Sequence, residues 1–199
     1  MITAQIRDRL LSELSRTDSE TTQERAAWFR DLAHFGPNPS PFTPTPGALA
    51  AARVTDTDPL SPTHRAVWLV LALASLPNPV FGKPAGGVSI GAWTRCLCTR
   101  REEDGKPAFS DQEPAGDRFR AMMSTDQSLP GYEATIIQLV RHATPPLCAS
   151  DCRPGPLRLA EDLCRIYTPQ AEDDVHPPRR DVMVKWAGDF HAVRASEVV

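Results

Sequence analysis

Residues 86–101, Gly-Gly-Val-Ser-Ile-Gly-Ala-Trp-Thr-Arg-Cys-Leu-Cys-Thr-Arg-Arg, place three kinds of chemistry in one short stretch. Gly87-Val88-Ser89-Ile90-Gly91 spells G-x-S-x-G, the pattern of a nucleophile elbow, in which a serine on a strained strand-to-helix turn attacks a carbonyl carbon. Cys96 and Cys98 could supply two thiolates to a zinc site completed by Cys148 and Cys152. Arg95, Arg100 and Arg101 could neutralise phosphates, helped by the open backbone N–H groups of a helix that starts at Ser89.

Each chemistry needs a different element around it. An elbow needs a strand running into Ser89, with a histidine and an acid later in the chain, and His176, His191 and Asp162 are available. The approach to Ser89, residues 77–87, reads Pro-Asn-Pro-Val-Phe-Gly-Lys-Pro-Ala-Gly-Gly, and its prolines lack the N–H donors of a central strand. Ser89 therefore reads as the N-cap of a helix running to about Arg100. On such a helix Cys96 and Cys98, two residues apart, point in different directions, so these cysteines are expected to hold no metal and Cys164 is expected in the core. No cofactor is called for. For phosphate the flexible Gly86-Gly87 leaves the helix start open; Lys83 precedes it, and Arg95, Arg100, Arg101, Lys106, Arg118 and Arg120 follow. Glu102, Glu103 and Asp104 interrupt that run, which leaves a solvated surface of mixed charge as the competing account.

The formal charge of −3 over 199 residues provides no global basic field, so any nucleic-acid contact must come from a local cationic stripe. The first residues alternate apolar and charged side chains without an apolar h-region, and the longest apolar run, residues 66–76, is about half of the roughly 20 residues that a membrane span needs. A cytoplasmic protein with no membrane segment is expected, and five cysteines then read as reduced thiols. Of twenty prolines, fifteen gather in residues 36–47, 76–87, 144–156 and 168–178.

Between these proline-rich stretches the apolar spacing is helical. Ile2, Ile6, Leu10 and Leu14 form one stripe, and Trp28, Leu32 and Phe35 continue it after the capping box Thr21-x-x-Glu24, with Gly36 as the stop. Ser61-Pro62 opens a buried helix to about residue 76. Tyr132, Ile136, Leu139 and Val140 share a face, as do Leu159, Leu163, Ile166 and Tyr167, and the last helix turns Val182, Trp186, Phe190 and Val193 inward. No period-two strand pattern stands out, so the fold class is all-α.

Five segments, in order, resemble the CasB family, the small subunit of the type I-E CRISPR surveillance complex Cascade. Gly-Val-Ser-Ile-Gly is similar to that family's G-[IV]-S-L-G, and Asp117-Arg118-Phe119-Arg120-Ala121-Met122-Met123 with Asp126 to its R-F-x-x-L-L-x-A-x-D. Residues 136–141 resemble the helix that follows, Leu159-Ala160-Glu161-Asp162-Leu163 an L-A-x-D-L helix, and Lys185-Trp186-Ala187-Gly188-Asp189-Phe190-His191 a closing W-[AG]-x-D-F-Y. The likeness spans roughly residues 83–191. Ala92 stands where the family commonly has arginine, with Arg95 one turn later; a basic N-terminal segment is represented only by residues 48–53, ending at Arg53; and the D-[WY] before the L-A-x-D-L helix is replaced by residues 144–156.

The resemblance implies two small packed helical bundles, assigned to residues 1–110 and 111–199, and no catalytic activity. It implies as partners the other Cascade subunits, a second copy of the chain, guide RNA, and the target and displaced DNA strands of the R-loop. The residues best able to form the cationic track are Lys83, Arg95, Arg100, Arg101, Arg118, Arg120 and Arg141. Two other functions compete: a helical adaptor that binds only protein, and a serine hydrolase built on Ser89.

Overall fold

Proline begins most of the helices. Its fixed φ suits the first helical turn and its missing N–H has no partner there to lose. The computed structural model describes residues 2–19, 23, 46–55, 58, 61–76, 81–82, 86–101, 107–110, 113–124, 129–142, 153–169 and 178–192. Within these lie α1 (Ala4–Ser19), α2 (Pro46–Thr55), α3 (Pro62–Ala74), α4 (Ile90–Leu97), α5 (Pro114–Met123), α6 (Leu129–His142), α7 (Pro156–Tyr167) and α8 (Pro178–His191). Five of these eight open on proline, so the proline clusters are start signals as much as breaks. The all-α expectation holds, with one small addition: β1 (Thr99–Arg101) pairs antiparallel with β2 (Pro107–Phe109).

That ladder corrects the expected helix from Ser89 to Arg100. The helix stops at Leu97 because Thr99 turns its hydroxyl back onto the Arg95 carbonyl at 2.9 Å, and the Cys98 carbonyl then accepts from Ser110 N across the pair at 3.0 Å. A helix over Pro46–Thr55 was also not anticipated. Its Ala50, Ala51 and Val54 are fully buried, and their small side chains let α2 lie close to α1 and α3. The capping box at Thr21 and Glu24, the stripe of Trp28, Leu32 and Phe35, and Gly36 lie outside the described residues.

Helix α3 is the centre. Ser61 caps it, accepting from His64 N at 3.1 Å, and every residue from Ala66 to Leu73 is buried, the pattern of a helix covered on all sides. α7 covers it most extensively, with α2, α1 and α6 around it, while α4 packs on α8 and α5 lies against α6 and α4. One cluster of buried side chains includes Leu10, Trp68, Ile90, Phe119, Tyr132, Leu163 and Trp186, and two of its extensive packings, α3 on α7 and α4 on α8, run across residues 110 and 111. The stripes expected on α1, α6, α7 and α8 all face this core, as do Cys164 and Trp186, except that Val193 is outside the described residues. No helix among the described residues is long and apolar enough to cross a membrane.

Two polar groups are built into the interior around α3. Arg65 Nε donates to Glu133 on α6 at 2.5 Å, and its guanidinium lies 4.9 Å from the Tyr167 ring centroid. Burial, helped by the Glu133 charge, pushes the Tyr167 phenol well above its usual range. His64 Nδ1 lies 3.2 Å from Thr55 Oγ1, whose own hydrogen goes to the Ala51 carbonyl at 2.9 Å. The threonine can then only accept, which fixes the hydrogen of neutral His64 on Nδ1 and leaves Nε2 a buried acceptor without a partner among the described residues. Burial lowers the His64 pKa, and Asp58 opposes that only in part.

Candidate functional site

The segment before Ser89 is held by the segment before α7. Gly82 N donates to the Pro154 carbonyl at 3.1 Å, Val88 N to Arg153 O at 3.0 Å and Gly155 N to Val88 O at 3.3 Å. The two segments touch so closely that only glycine fits. Gly87 has φ +100°, and a Cβ there would stand 2.4 Å from Gly155 N. This clip sets the starts of α4 and α7 side by side, capped by Ser89 and Gly155.

Ser89 has ordinary backbone angles, φ −71° and ψ 166°, and is buried. Its Oγ accepts from Ala92 N at 3.2 Å and donates to Asp189 Oδ2 at 2.5 Å. Arg158, in the first turn of α7, reaches the same Asp189 oxygen at 3.3 Å. An elbow serine would be preceded by a strand, strained at φ and turned toward a histidine; Val88 makes only a single bridge, to Pro154, and the serine proton points at a carboxylate. His191 is exposed with its ring edge-on to Phe190, Asp162 is occupied elsewhere, and His176 is outside the described residues. Ser89 is the helix cap anticipated from its context.

The α4–α8 contact is closer still. A Cβ on Gly91 would stand 1.9 Å from the Trp186 carbonyl oxygen, so the second glycine of the motif lets two helix backbones touch. Trp186 is fully buried, and its Nε1 donates to Asp162 Oδ2 on α7 at 2.8 Å, while Lys185 Nζ stands 3.6 Å from Asp162 Oδ1. With Arg158 on Asp189, these contacts zip α7 to α8 along their length. Phe190 packs its ring on Phe119 of α5, centroids 4.7 Å apart.

These contacts revise the phosphate grip. Arg95 is 5% exposed and donates to the Phe190 carbonyl at 3.0 Å, so its guanidinium ties α4 to α8 inside the protein and presents nothing to a nucleic-acid strand. The start of α4, expected as an open anion cradle, already faces the chain's own anion, Asp189. Arg118 and Arg120 lie on α5, Arg118 half-buried and Arg120 exposed in a pair with Asp117 at 2.5 Å. Arg100 and Arg101 lie on β1, opposite Ala108 and Pro107, and Arg141 is near the end of α6. Lys83, Lys106, Cys148 and Cys152 lie outside the described residues. Cys96 is half-buried on α4, and Cys98 is its buried C-cap.

Sequence reasoning did not assign Arg158, Asp162 or Asp189 a structural part. Asp162 and Asp189 were visible as the acids of L-A-E-D-L and W-A-G-D-F-H, yet nothing local says that they bind a tryptophan 24 residues away and a serine 100 residues away. No protein-family model, curated protein or solved structure matches this chain.

Proposed function

We propose that this chain is a non-catalytic scaffold of the CasB kind, a small subunit of a type I-E CRISPR surveillance complex that lines the guide RNA and steadies the target and displaced DNA strands. One observation carries the reading. Four of the five segments on which the resemblance rests, far apart in sequence, meet at one junction: Ser89 on Asp189, Gly91 on Trp186, Asp162 on Trp186 and Phe119 on Phe190. Chance matches to short helical motifs have no reason to meet in space, whereas the parts of one packing core must.

Strand contact in this reading falls to cations outside the junction. Arg100 and Arg101 on β1 and Arg118 and Arg120 on α5 come after α4 in the chain, Arg141 lies further on in α6, and Lys83 precedes α4 in sequence. The exposed Arg120–Asp117 pair is no obstacle, since a surface ion pair contributes only about 0–1 kcal/mol and a phosphate can replace the carboxylate. Arg95 drops out of the track. A net charge of −3 predicts weak binding by the free chain, with neighbours supplying the rest of the groove in a cytoplasmic assembly that includes other subunits and a second copy. Base sequence would be read by guide pairing and not by this subunit.

The test is Arg118→Glu in a reconstituted complex, compared with the unaltered complex for R-loop lifetime across a salt series. Arg95→Glu is unsuitable, because it would place a carboxylate against the Phe190 carbonyl in the interior. A shorter R-loop lifetime is expected, and the log–log salt slope should shrink in magnitude by about 0.7 for each single-strand phosphate that the variant no longer neutralises. An unchanged lifetime and slope would remove α5 from the track and favour an adaptor that touches only protein.

A further inference from the structure

We propose that the cleft between the start of α1 and the end of α7 binds a small monocarboxylate, held by Arg7 and Arg165. The inference rests on that cleft and is independent of the function proposed above.

The cleft measures about 110 Å³ and is lined by Ile2, Arg7, Glu161, Cys164, Arg165 and Thr168. Ile2 and Cys164 are buried, Glu161 and Thr168 half-buried, and both arginines exposed, so a weakly polar inner wall leads out to a charged rim. The other hydrogen-bonding groups of the lining are already engaged. Thr168 Oγ1 donates to the Cys164 carbonyl at 2.8 Å, and Cys164 Sγ lies 3.4 Å from Thr63 Oγ1. Arg7 bridges the two helices through one nitrogen, Nη2, which donates to Glu161 Oε1; a guanidinium carries five N–H donors, so others remain. Arg165 differs from its neighbours. The other arginine of α7, Arg158, has Asp189, whereas Arg165 has no acid among the described residues, in a chain where 25 acids outnumber 22 lysines and arginines. The side-chain donors left to the cleft are therefore guanidinium N–H groups, whose fork matches a carboxylate.

Charge and size select the occupant. Arg7 and Arg165 set against Glu161 leave the lining one positive charge, which a monoanion neutralises and a phosphate dianion exceeds. The volume is well below the roughly 300–1,000 Å³ of a site for a drug-sized molecule, so the occupant is a carboxylate on a short hydrocarbon chain. Its carboxylate meets the arginines at the rim and its chain points toward Ile2 and Cys164. A phosphodiester is also a monoanion, but with an ester arm on each side it has no free end to insert.

The experiment is a titration of the full ¹⁵N-labelled chain with propionate at constant ionic strength, read by backbone-amide and arginine Nε chemical shifts. Saturable shifts centred on residues 2–7 and 161–168 are expected, with half-saturation at about one millimolar, within reach of a ligand of so few atoms. Propionamide has the same shape without the charge and should give no saturable shift. Inorganic phosphate, as the dianion, should bind at least about tenfold more weakly than propionate. Arg165→Gln should weaken propionate binding by at least about tenfold. Glu161→Gln should strengthen it and bring phosphate closer to propionate, because the lining then carries two positive charges. Neither side chain is buried, and circular dichroism checks that each variant is folded. Shifts that never saturate, that centre elsewhere in the chain, that propionamide or phosphate reproduces equally, or that either substitution leaves unchanged would each overturn the proposal.

Discussion

Gly91→Ala is the most direct test of the junction. The added methyl would stand 1.9 Å from the Trp186 carbonyl oxygen, 2.7 Å from its carbon and 3.0 Å from its Cα, and all three are backbone atoms that cannot rotate away. To bring the first contact out to 3.0 Å, α4 and α8 must separate by about 1.1 Å. A gap of that size forfeits about a quarter to a half of the dispersion attraction across the contact, and overpacking of this kind costs about 1–3 kcal/mol. The same movement stretches Ser89–Asp189 and Arg95–Phe190, hydrogen bonds that contribute about 1 kcal/mol each, more where a charge is left buried. Alanine's better helix propensity returns at most about 1 kcal/mol, and less in a first turn. The net expectation is destabilisation by about 2–3 kcal/mol, or a midpoint lowered by about 4–12 °C for a chain of this size. Urea and thermal unfolding followed by circular dichroism measure it. Gly188→Ala is the matched control on α8: with nothing within 4 Å of the new methyl, it should stabilise by about 0.5–1 kcal/mol at concentrations where the chain is monomeric. If Gly91→Ala were neutral or stabilising, α4 and α8 would not approach as described and the convergence of the motifs would lose its centre.

Three further outcomes follow. Asp162→Ala should cost about 1–3 kcal/mol and shift tryptophan fluorescence, because Trp186 Nε1 is left buried without an acceptor; Asp162→Asn keeps an acceptor and should cost less. The His64 pKa is lowered in the folded chain, so the unfolded chain binds the extra proton first as pH falls below the ordinary value of 6.5. Stability should therefore decline on acidification through that window, and His64→Gln should flatten the decline when denaturation midpoints are compared at two pH values. Ser89→Ala should lower stability by about 1 kcal/mol or more through loss of the α4 cap, and the unaltered protein should resist a fluorophosphonate probe, since the hydroxyl is buried against Asp189. Stoichiometric labelling of Ser89 would revive the hydrolase.

What could be read from the sequence divides along the range of the forces involved. The Ser61 and Ser89 caps, the proline start at Pro62 and the stripes on α1, α6, α7 and α8 are set by neighbours within a turn or two, and each was legible. The end of α4 at Leu97 was not, because it depends on Pro107–Phe109 arriving to pair with Thr99–Arg101. Helix α2 was obscured by the proline-rich run before it, although Ala50, Ala51 and Ala52 are strong helix formers. The largest error concerned Arg95. A cation on a short helix next to other arginines reads as surface, and only the position of the Phe190 carbonyl turns it inward. Spacing along one helix tells which residues share a face, not whether another helix covers it.

The same distinction governs how far the junction can carry a functional reading. Ser89, Gly91, Asp162, Trp186 and Asp189 hold helices together, and each has its hydrogen bond or close contact inside the chain. Asp189 is the telling case: the start of a helix attracts an anion, and this chain supplies its own. A phosphate brought to that point would meet a carboxylate, so in the proposed reading nucleic acid is better sought away from the α4–α8 contact, on α5 and β1. The residues of the junction thus test the architecture, whereas the proposed function turns on cations outside it, such as Arg118, whose replacement should leave the α4–α8 contact intact. A variant that unfolds the junction and one that loosens an R-loop should therefore be different variants. If Arg118→Glu lowered stability as much as Gly91→Ala, that separation would fail and the cationic track would have to be placed elsewhere.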